Sequence, residues 1–215
     1  MNAPMPLVRT LLPGDAALAR RLKREIEGEV LFDAASRGRY ATDASIYQID
    51  PLGVVIPKTE DDVATALAVA RELGVPVLPR GAGTSQCGQT VGPALVIDTS
   101  RHLNRIVEVD PDARTAWVEP GVVLDHLNAH LRPHKLWFPV DVSTSAQATL
   151  GGMTGNNSCG ARSIRYGNMV HNVAAVEAWL ADGTTCTFGP STDVAQGNAR
   201  YREVVAGIHA IAQRE

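Results

Sequence analysis

The chain has 215 residues, of which 45% are hydrophobic, 20% charged and 5% aromatic, and its formal net charge is -3. This length and composition exclude a fibrous or disordered protein and suit one or two globular domains. Basic residues are scattered among acidic ones without a basic run, which argues against a nucleic-acid partner.

The three cysteines, Cys87, Cys159 and Cys186, are far apart and odd in number. This spacing argues against a disulfide framework and against a structural metal site. No apolar run approaches the roughly 20 residues of a membrane-spanning helix. The first twelve residues lack the charged-then-apolar order of a secretion signal. We therefore expect a cytoplasmic protein with no membrane span.

The first half predicts a small β-α-β unit. A charge-rich helix over 15–29 precedes an irregular lead-in over 37–50. Thr59 opens a second helix with a capping box, and Gly74 closes it. Buried strands are predicted from three short apolar runs, at 54–57, 75–78 and 94–97. Such strands around a helix favour a parallel sheet.

The second half predicts antiparallel strands with helices. Two hairpins are predicted, at 105–119 and 174–188, with turns at 110–112 and 181–183. Leucines at helical spacing mark one further helix at Leu124, Leu127 and Leu131, and a last helix covers 198–215. The predicted fold class is α+β, with a parallel β-α-β subdomain and a larger subdomain that contains one mainly antiparallel sheet and helices.

The predicted domain organisation is a lead-in, a main domain with two subdomains, and a C-terminal helical segment. Their boundaries are 1–39 for the lead-in, 40–190 for the main domain, about 50–100 and 101–190 for its subdomains, and 191–215 for the last segment.

A glycine-rich loop covers 79–88 and leaves the second predicted strand. Its glycines allow positive φ and bring successive N–H groups together, which suits phosphate oxygens. A Rossmann fingerprint would need glycine where Gln86 stands, and a P-loop would need lysine where Gln89 stands. A metal-free nest for a diphosphate and a plain surface turn both remain open for this loop alone.

A second glycine-rich segment follows, with five glycines between positions 151 and 167. So much glycine is costly to order unless the segment binds a ligand. The amides of Asn156 and Asn157 suit the edge of a heteroaromatic ring. Two such segments, more than sixty positions apart, fit a long ligand with a central anion, and a dinucleotide has that shape.

The motifs together resemble a known family. They are RGAGTS at 80–85, PVD at 139–141, TLGGM at 149–153, and the run over 156–167 that ends in RYG. The chain resembles the FAD-binding domain of the vanillyl-alcohol oxidase/p-cresol methylhydroxylase superfamily, and within it the D-2-hydroxy-acid dehydrogenase branch. The match covers roughly 40–188.

The resemblance implies a set of FAD-binding residues and no catalytic residue. The first loop would wrap the pyrophosphate, the second segment would complete its wall and line the flavin, and Pro139 and Asp141 would lie near the isoalloxazine. Val173 would meet the adenine side through its backbone, as would Gly121. The implied contacts are Arg80, Gly81, Ala82, Gly83, Thr84, Ser85, Gly88, Pro139, Asp141, Thr149, Gly151, Gly152, Asn156, Asn157, Gly160, Ser163, Tyr166, Gly167 and Val173. Some branches attach flavin covalently to a histidine where Thr84 stands here, so we expect non-covalent FAD.

The resemblance also implies an activity for the intact enzyme, oxidation of a D-2-hydroxy acid of the D-lactate, glycolate or D-2-hydroxyglutarate type to the 2-oxo acid. In that family a C-terminal cap domain supplies most substrate contacts. We therefore expect this chain to be an N-terminal piece that is inactive alone. The alternative is a non-catalytic flavin-binding electron-transfer module. The electron acceptor stays open.

Overall fold

The first half of the chain folds around a four-stranded sheet. In the computed structural model, which describes residues 12–189 and 197–214, this half contains three helices and four strands. In chain order they are α1 (Ala16–Glu25), β1 (Glu29–Leu31), α2 (Ala34–Tyr40), β2 (Gly53–Ile56), α3 (Glu60–Glu72), β3 (Val77–Arg80) and β4 (Leu95–Asp98).

The sheet has the order β1-β2-β4-β3. Strands β2 and β3 both run parallel to the central β4, whereas β1 pairs antiparallel with β2. Leu22, Val55, Ala66 and Leu95 are buried in one cluster between the helices and the sheet. Every residue of β2 and β4 is buried, which explains the apolar runs at 54–56 and 95–97, and Asp98 at the end of β4 is buried with them.

A buried carboxylate joins α3 to the chain before β1. Thr59 caps α3 by accepting a hydrogen bond from the Asp62 N–H, as the capping box predicts. The Asp62 carboxylate does not return to Thr59. It accepts instead from the N–H groups of Glu27 and Lys58, at 2.8 Å each, so only half of the predicted box forms.

Replacing Asp62 with alanine is expected to lower the free energy of unfolding by about 2 kcal/mol, because two partly buried N–H groups lose their acceptor. Urea denaturation measures this loss. The neighbouring exposed Asp61 is the matched control, and Asp61→Ala should stay within about 0.5 kcal/mol of the wild type. Equal losses for the two variants would contradict the assigned role.

The second half consists of antiparallel strand pairs and short helices. Its elements are β5 (Ile106–Asp110), β6 (Thr115–Val118), α4 (Leu124–Leu131) with a 3-10 turn (Arg132–His134), α5 (Leu150–Gly155), α6 (Ser163–Tyr166), α7 (Met169–Asn172), β7 (Val176–Trp179), β8 (Thr185–Phe188) and α8 (Ala199–Ala212). The strand pairs are β5-β6 and β7-β8. The three leucines of α4 are buried together with Met153 and Met169 in a second core.

The α+β fold class is confirmed, and some element bounds differ from prediction. The helix predicted over 15–29 ends at Glu25, because residues 29–31 form β1 on the edge of β2. The lead-in predicted as irregular contains α2. The antiparallel strands form two separate ribbons in the described ranges rather than one sheet. The chain start and the predicted boundary at 190/191 lie outside the described residues.

Within residues 12–189 and 197–214, no helix has both the length and the apolar character that a membrane crossing needs.

Candidate cofactor site

The first glycine-rich loop leaves the carboxyl end of β3, where parallel sheets commonly bind ligands. Residues 81–90 form this loop, and Gly83 and Gly88 take φ values of +70° and +74°. Residues with a side chain rarely adopt such values, so the turn depends on glycine at both positions. Strand pairing therefore fixes where the loop begins, and its glycines fix how it turns.

A wall formed by residues 40–49 supports this loop from one side. The Ala44 N–H donates to the Gly83 carbonyl at 3.1 Å, and the Thr90 hydroxyl donates to the Asp43 carboxylate at 3.0 Å. The Tyr47 ring lies against Gly88, where an added Cβ would come within 2.6 Å of it. We call residues 40–49 the lead-in wall, and it gives the loop its shape.

An open depression of about 510 Å³ lies between the lead-in wall and the loop. It is lined by Ala44, Ser45, Ile46, Tyr47, Gln86 and Cys87. Sequence reasoning missed this wall. The sequence signal for it was Asp43 two residues before Ser45, a pattern typical of a local turn. In the structure the Ser45 N–H donates to the Asp43 carboxylate at 2.8 Å.

The second glycine-rich segment builds α5 with one bare face. Thr149 caps this helix through a hydrogen bond from the Gly152 N–H, while Leu150 and Met153 turn into the second core. Gly152 and Gly155 lie on the exposed side. Around Gly155 no atom lies within 4 Å of where a Cβ would be. The exposed face of α5 is therefore backbone that a ligand can approach closely.

The two glycine-rich segments lie directly against each other. A Cβ added at Gly81 would fall 2.1 Å from the Thr149 Oγ1, so the contact requires glycine. On the exposed rim, the Gln89 Nε2 donates to the Asn156 side-chain Oδ1 at 2.8 Å, and the Ser85 hydroxyl donates to the Gln89 Oε1. The structure thus brings together residues 81–90 and 149–156, and Gln89, which stands where a P-loop would need lysine, bridges them.

Asp141 anchors a second group of the predicted residues. Its Oδ1 accepts from the Arg162 N–H at 3.0 Å, and its carbonyl would be 2.2 Å from a Cβ on Gly160. The Gly160 N–H donates to the Ser163 hydroxyl at 2.9 Å. These contacts join 141 to the run that begins at 160.

Aromatic and cationic side chains border the Asp141 group. The Trp137 and Tyr166 rings meet edge to face with centroids 5.3 Å apart, and the Arg162 guanidinium lies 5.3 Å from the Trp137 ring centroid. Both rings are partly exposed. Edge-to-face and cation–π contacts at the surface therefore add to the hydrogen bonds that hold this end of the segment.

Two of the residues expected near the adenine, Val173 and Gly121, use their backbone N–H groups in hydrogen bonds within the protein. The Val173 N–H ends α7 by donating to the Met169 carbonyl, and its side chain packs on the second core. The Gly121 N–H donates to the Leu103 carbonyl, and an added Cβ would lie 2.3 Å from the Thr99 carbonyl oxygen. Close packing alone explains the glycine at 121.

The donors at this site suit a diphosphate without a metal ion. They are backbone N–H groups, hydroxyls and carboxamides, and the described residues contain no group of three potential metal ligands. All three cysteines are free of disulfides, and Cys87 and Cys159 are exposed. Bare backbone on both segments, with the contact at Gly81 and Thr149 between them, fits a dinucleotide cofactor.

Comparison with known proteins gives the same assignment. Residues 51–189 match the family described as FAD binding domain, and this range contains both glycine-rich segments. The chain belongs to this FAD-binding family, which confirms the cofactor expected from the sequence.

Two curated relatives share much of this sequence. D-2-hydroxyglutarate dehydrogenase of Escherichia coli (strain K12) is 37% identical over 179 residues, covering 80% of this chain and 18% of that enzyme. Glycolate oxidase subunit GlcD of Bacillus subtilis (strain 168) is 36% identical over 167 residues, covering 74% of this chain and 35% of that subunit. The chain thus spans less than a fifth of the first relative's length.

Among solved structures, BBE-like 1 of Physcomitrella patens superposes with a TM-score of 0.70 at 23% identity. The superposition covers 84% of this chain and 38% of that one. At this level of identity the similarity supports the fold.

Proposed function

We propose that the chain holds FAD non-covalently between its two glycine-rich segments. The observation that supports this most strongly is the contact between Gly81 and Thr149, where a single Cβ would separate the segments. Thr84 offers no imidazole for a covalent link. The protein supplies binding and orientation, and bound FAD supplies a two-electron acceptor for a substrate hydride.

The proposed contacts divide by their position in the two segments. Backbone N–H groups of the first loop bind the diphosphate, through Gly81, Ala82, Gly83, Thr84 and Ser85, and Gly88 lets the loop turn. At the start of α5, Thr149, Gly151 and Gly152 form the second wall along the pyrophosphate and the ribityl chain. The flavin ring lies along Pro139, Asp141, Asn156, Asn157 and Gly160, with Ser163, Tyr166 and Gly167 behind it, and the adenine side reaches Val173. Arg80 belongs to the same site.

Asp141 is proposed to orient this second group of contacts. The Arg162 N–H and guanidinium both face its carboxylate, the latter at 3.5 Å. Because the Gly160 backbone packs against the same residue, a shift of Asp141 would move the adjoining wall. Its role is to position the wall rather than to transfer a proton.

For the whole protein we propose oxidation of a D-2-hydroxy acid, of the D-lactate, glycolate or D-2-hydroxyglutarate type, to the 2-oxo acid. The names of the two relatives support this substrate class. Residues that contact the hydroxy acid would lie outside the two glycine-rich segments. A cytoplasmic location is also proposed, in keeping with the free cysteines.

Turnover tests the activity. The protein is expressed from its whole open reading frame, loaded with FAD, and supplied with D-lactate, glycolate or D-2-hydroxyglutarate and an artificial electron acceptor. We expect the acceptor to be reduced with at least one of these acids, and L-2-hydroxyglutarate to serve as the mirror-image control. Tight FAD binding without turnover on any of them would favour the electron-transfer module instead.

A further inference from the structure

Arg80 stands at the start of the first glycine-rich loop with its side chain turned into the protein. Only 9% of its surface is exposed. Its guanidinium donates to three backbone carbonyls, those of Tyr40 at 3.2 Å, Thr42 at 2.8 Å and Thr90 at 3.0 Å. Two of these acceptors belong to the lead-in wall, and the third closes the far end of the loop.

The backbone at Gly83 lies close to this guanidinium. A Cβ added at Gly83 would fall 2.5 Å from the Arg80 Nη2 and 2.9 Å from its Cζ. Gly83 also has a positive φ, so a side chain is disfavoured there for two reasons. The guanidinium therefore packs against the middle of the loop as well as bonding its far end at Thr90. One planar side chain thus contacts the loop at Gly83 and Thr90 and the lead-in wall at Tyr40 and Thr42.

Tyr40 and Asp98 fix the guanidinium in turn. The Arg80 Cζ lies 5.3 Å from the centroid of the Tyr40 ring, and the Tyr40 hydroxyl donates to the Asp98 carboxylate at 2.7 Å. Burial, and then the hydrogen bond to Asp98, raises the pKa of Tyr40 well above its usual value, so the hydroxyl remains a donor. Burial lowers the pKa of Arg80, opposed by Asp98 and Asp43, yet an arginine remains charged at neutral pH.

We infer that Arg80 is a positioning residue that sets the shape of loop 81–90 through backbone carbonyls and does not itself contact the diphosphate. This inference rests on the proposed FAD site and assigns a different role to one of its residues. A planar fork with several donors suits three carbonyls at once, and a lysine ammonium cannot reproduce that geometry.

The test compares Arg80→Lys with Arg101→Lys in the otherwise unchanged chain. Arg101 is exposed, pairs with Glu29 and lies outside the loop, so it controls for the chemical change. Hydrogen exchange is measured first without flavin. We expect the amides of 81–90 to exchange at least about tenfold faster in Arg80→Lys, while those of α3 stay at wild-type rates and Arg101→Lys changes neither.

FAD is then titrated, and the phosphorus NMR signals of bound FAD are recorded. We expect Arg80→Lys to weaken FAD binding about tenfold. At saturating FAD the diphosphate signals should keep their wild-type positions, because the guanidinium does not touch the phosphates. Weaker binding with shifted phosphorus signals and unchanged loop exchange would mean direct contact and would overturn the inference, as would wild-type exchange and affinity.

A second variant keeps the test decisive if Arg80→Lys does not fold. Tyr40→Leu removes the ring beside the guanidinium without touching the loop, and faster exchange confined to 81–90 is again expected. Wild-type exchange there would overturn the inference. Failure of the wild-type chain to bind FAD would instead count against the proposed function, since the exchange experiment needs no flavin.

Discussion

Gly81→Ala is expected to weaken FAD binding by at least about a hundredfold, because the new methyl group would occupy the contact between the two glycine-rich segments. The added Cβ would lie 2.1 Å from the Thr149 Oγ1, far inside normal contact distance. Gly81 does not have a positive φ, so the clash rather than backbone strain causes the loss. Titration of the variant with FAD measures the effect.

A second substitution separates this clash from general damage. Removing the Thr149 hydroxyl leaves the Thr149 Cβ, which would lie 3.3 Å from the new methyl group. Gly81→Ala combined with Thr149→Ala should therefore recover part of the affinity, while the lost helix cap lowers the stability of the protein by about 1 kcal/mol. Gly81→Ala with Thr149→Val refills the same space and should recover nothing. Equal affinities for the two double variants would contradict the steric explanation.

Gly160→Ala is expected to lower both the free energy of unfolding, by about 2 kcal/mol, and the affinity for FAD, by about tenfold. The new Cβ would lie 2.2 Å from the Asp141 carbonyl oxygen and 2.3 Å from its Oδ1. A backbone oxygen cannot rotate away, so the whole wall around Asp141 must shift. Urea denaturation and FAD titration measure the two losses.

Gly155→Ala is the matched stability control for this variant. Gly155 is also a glycine of the second segment, but nothing lies within 4 Å of the position of its Cβ. Because it belongs to α5, alanine there should raise the free energy of unfolding by up to about 1 kcal/mol. A loss of stability as large as that of Gly160→Ala would show that the second segment tolerates no side chain for reasons other than the Asp141 contact.

The parts of the fold with strong local signals were predictable. Apolar runs predicted β2 and β4, and the capping residue Thr59 predicted the start of α3. Turn residues predicted both hairpins. Strand β1 was missed because 29–31 follow a charged helix and become a strand only by pairing with β2. Local sequence contains little information about such pairing, so the predicted helix ran on too far.

The lead-in wall shows why part of the site was not predictable. It has no hydrophobic period, and it supports the loop through backbone groups such as the Ala44 N–H and the Thr42 carbonyl, which any sequence possesses. The direction of the Arg80 side chain likewise depends on which face of β3 is buried, and that is a tertiary property. The structural need for glycine in the first loop was predictable, because a positive φ at Gly83 and Gly88 and the close approach at Gly81 leave few other choices.

The meeting of the two segments explains why neither alone identifies the ligand. The first loop resembles several phosphate-binding turns, and Gln89 stands where a P-loop needs lysine. In the structure Gln89 instead bonds Asn156 of the other segment. Because the exposed backbone of 149–156 lies beside the first loop, the two segments together form a site long enough for a dinucleotide.

Hydrogen exchange of the folded chain with and without FAD tests most directly whether both segments enclose one ligand. Added FAD should slow the amides of 81–90 and of 149–157 together, at the same FAD concentration, while α8 keeps its rates. Protection of only one segment, or of neither, would contradict a site shared between them.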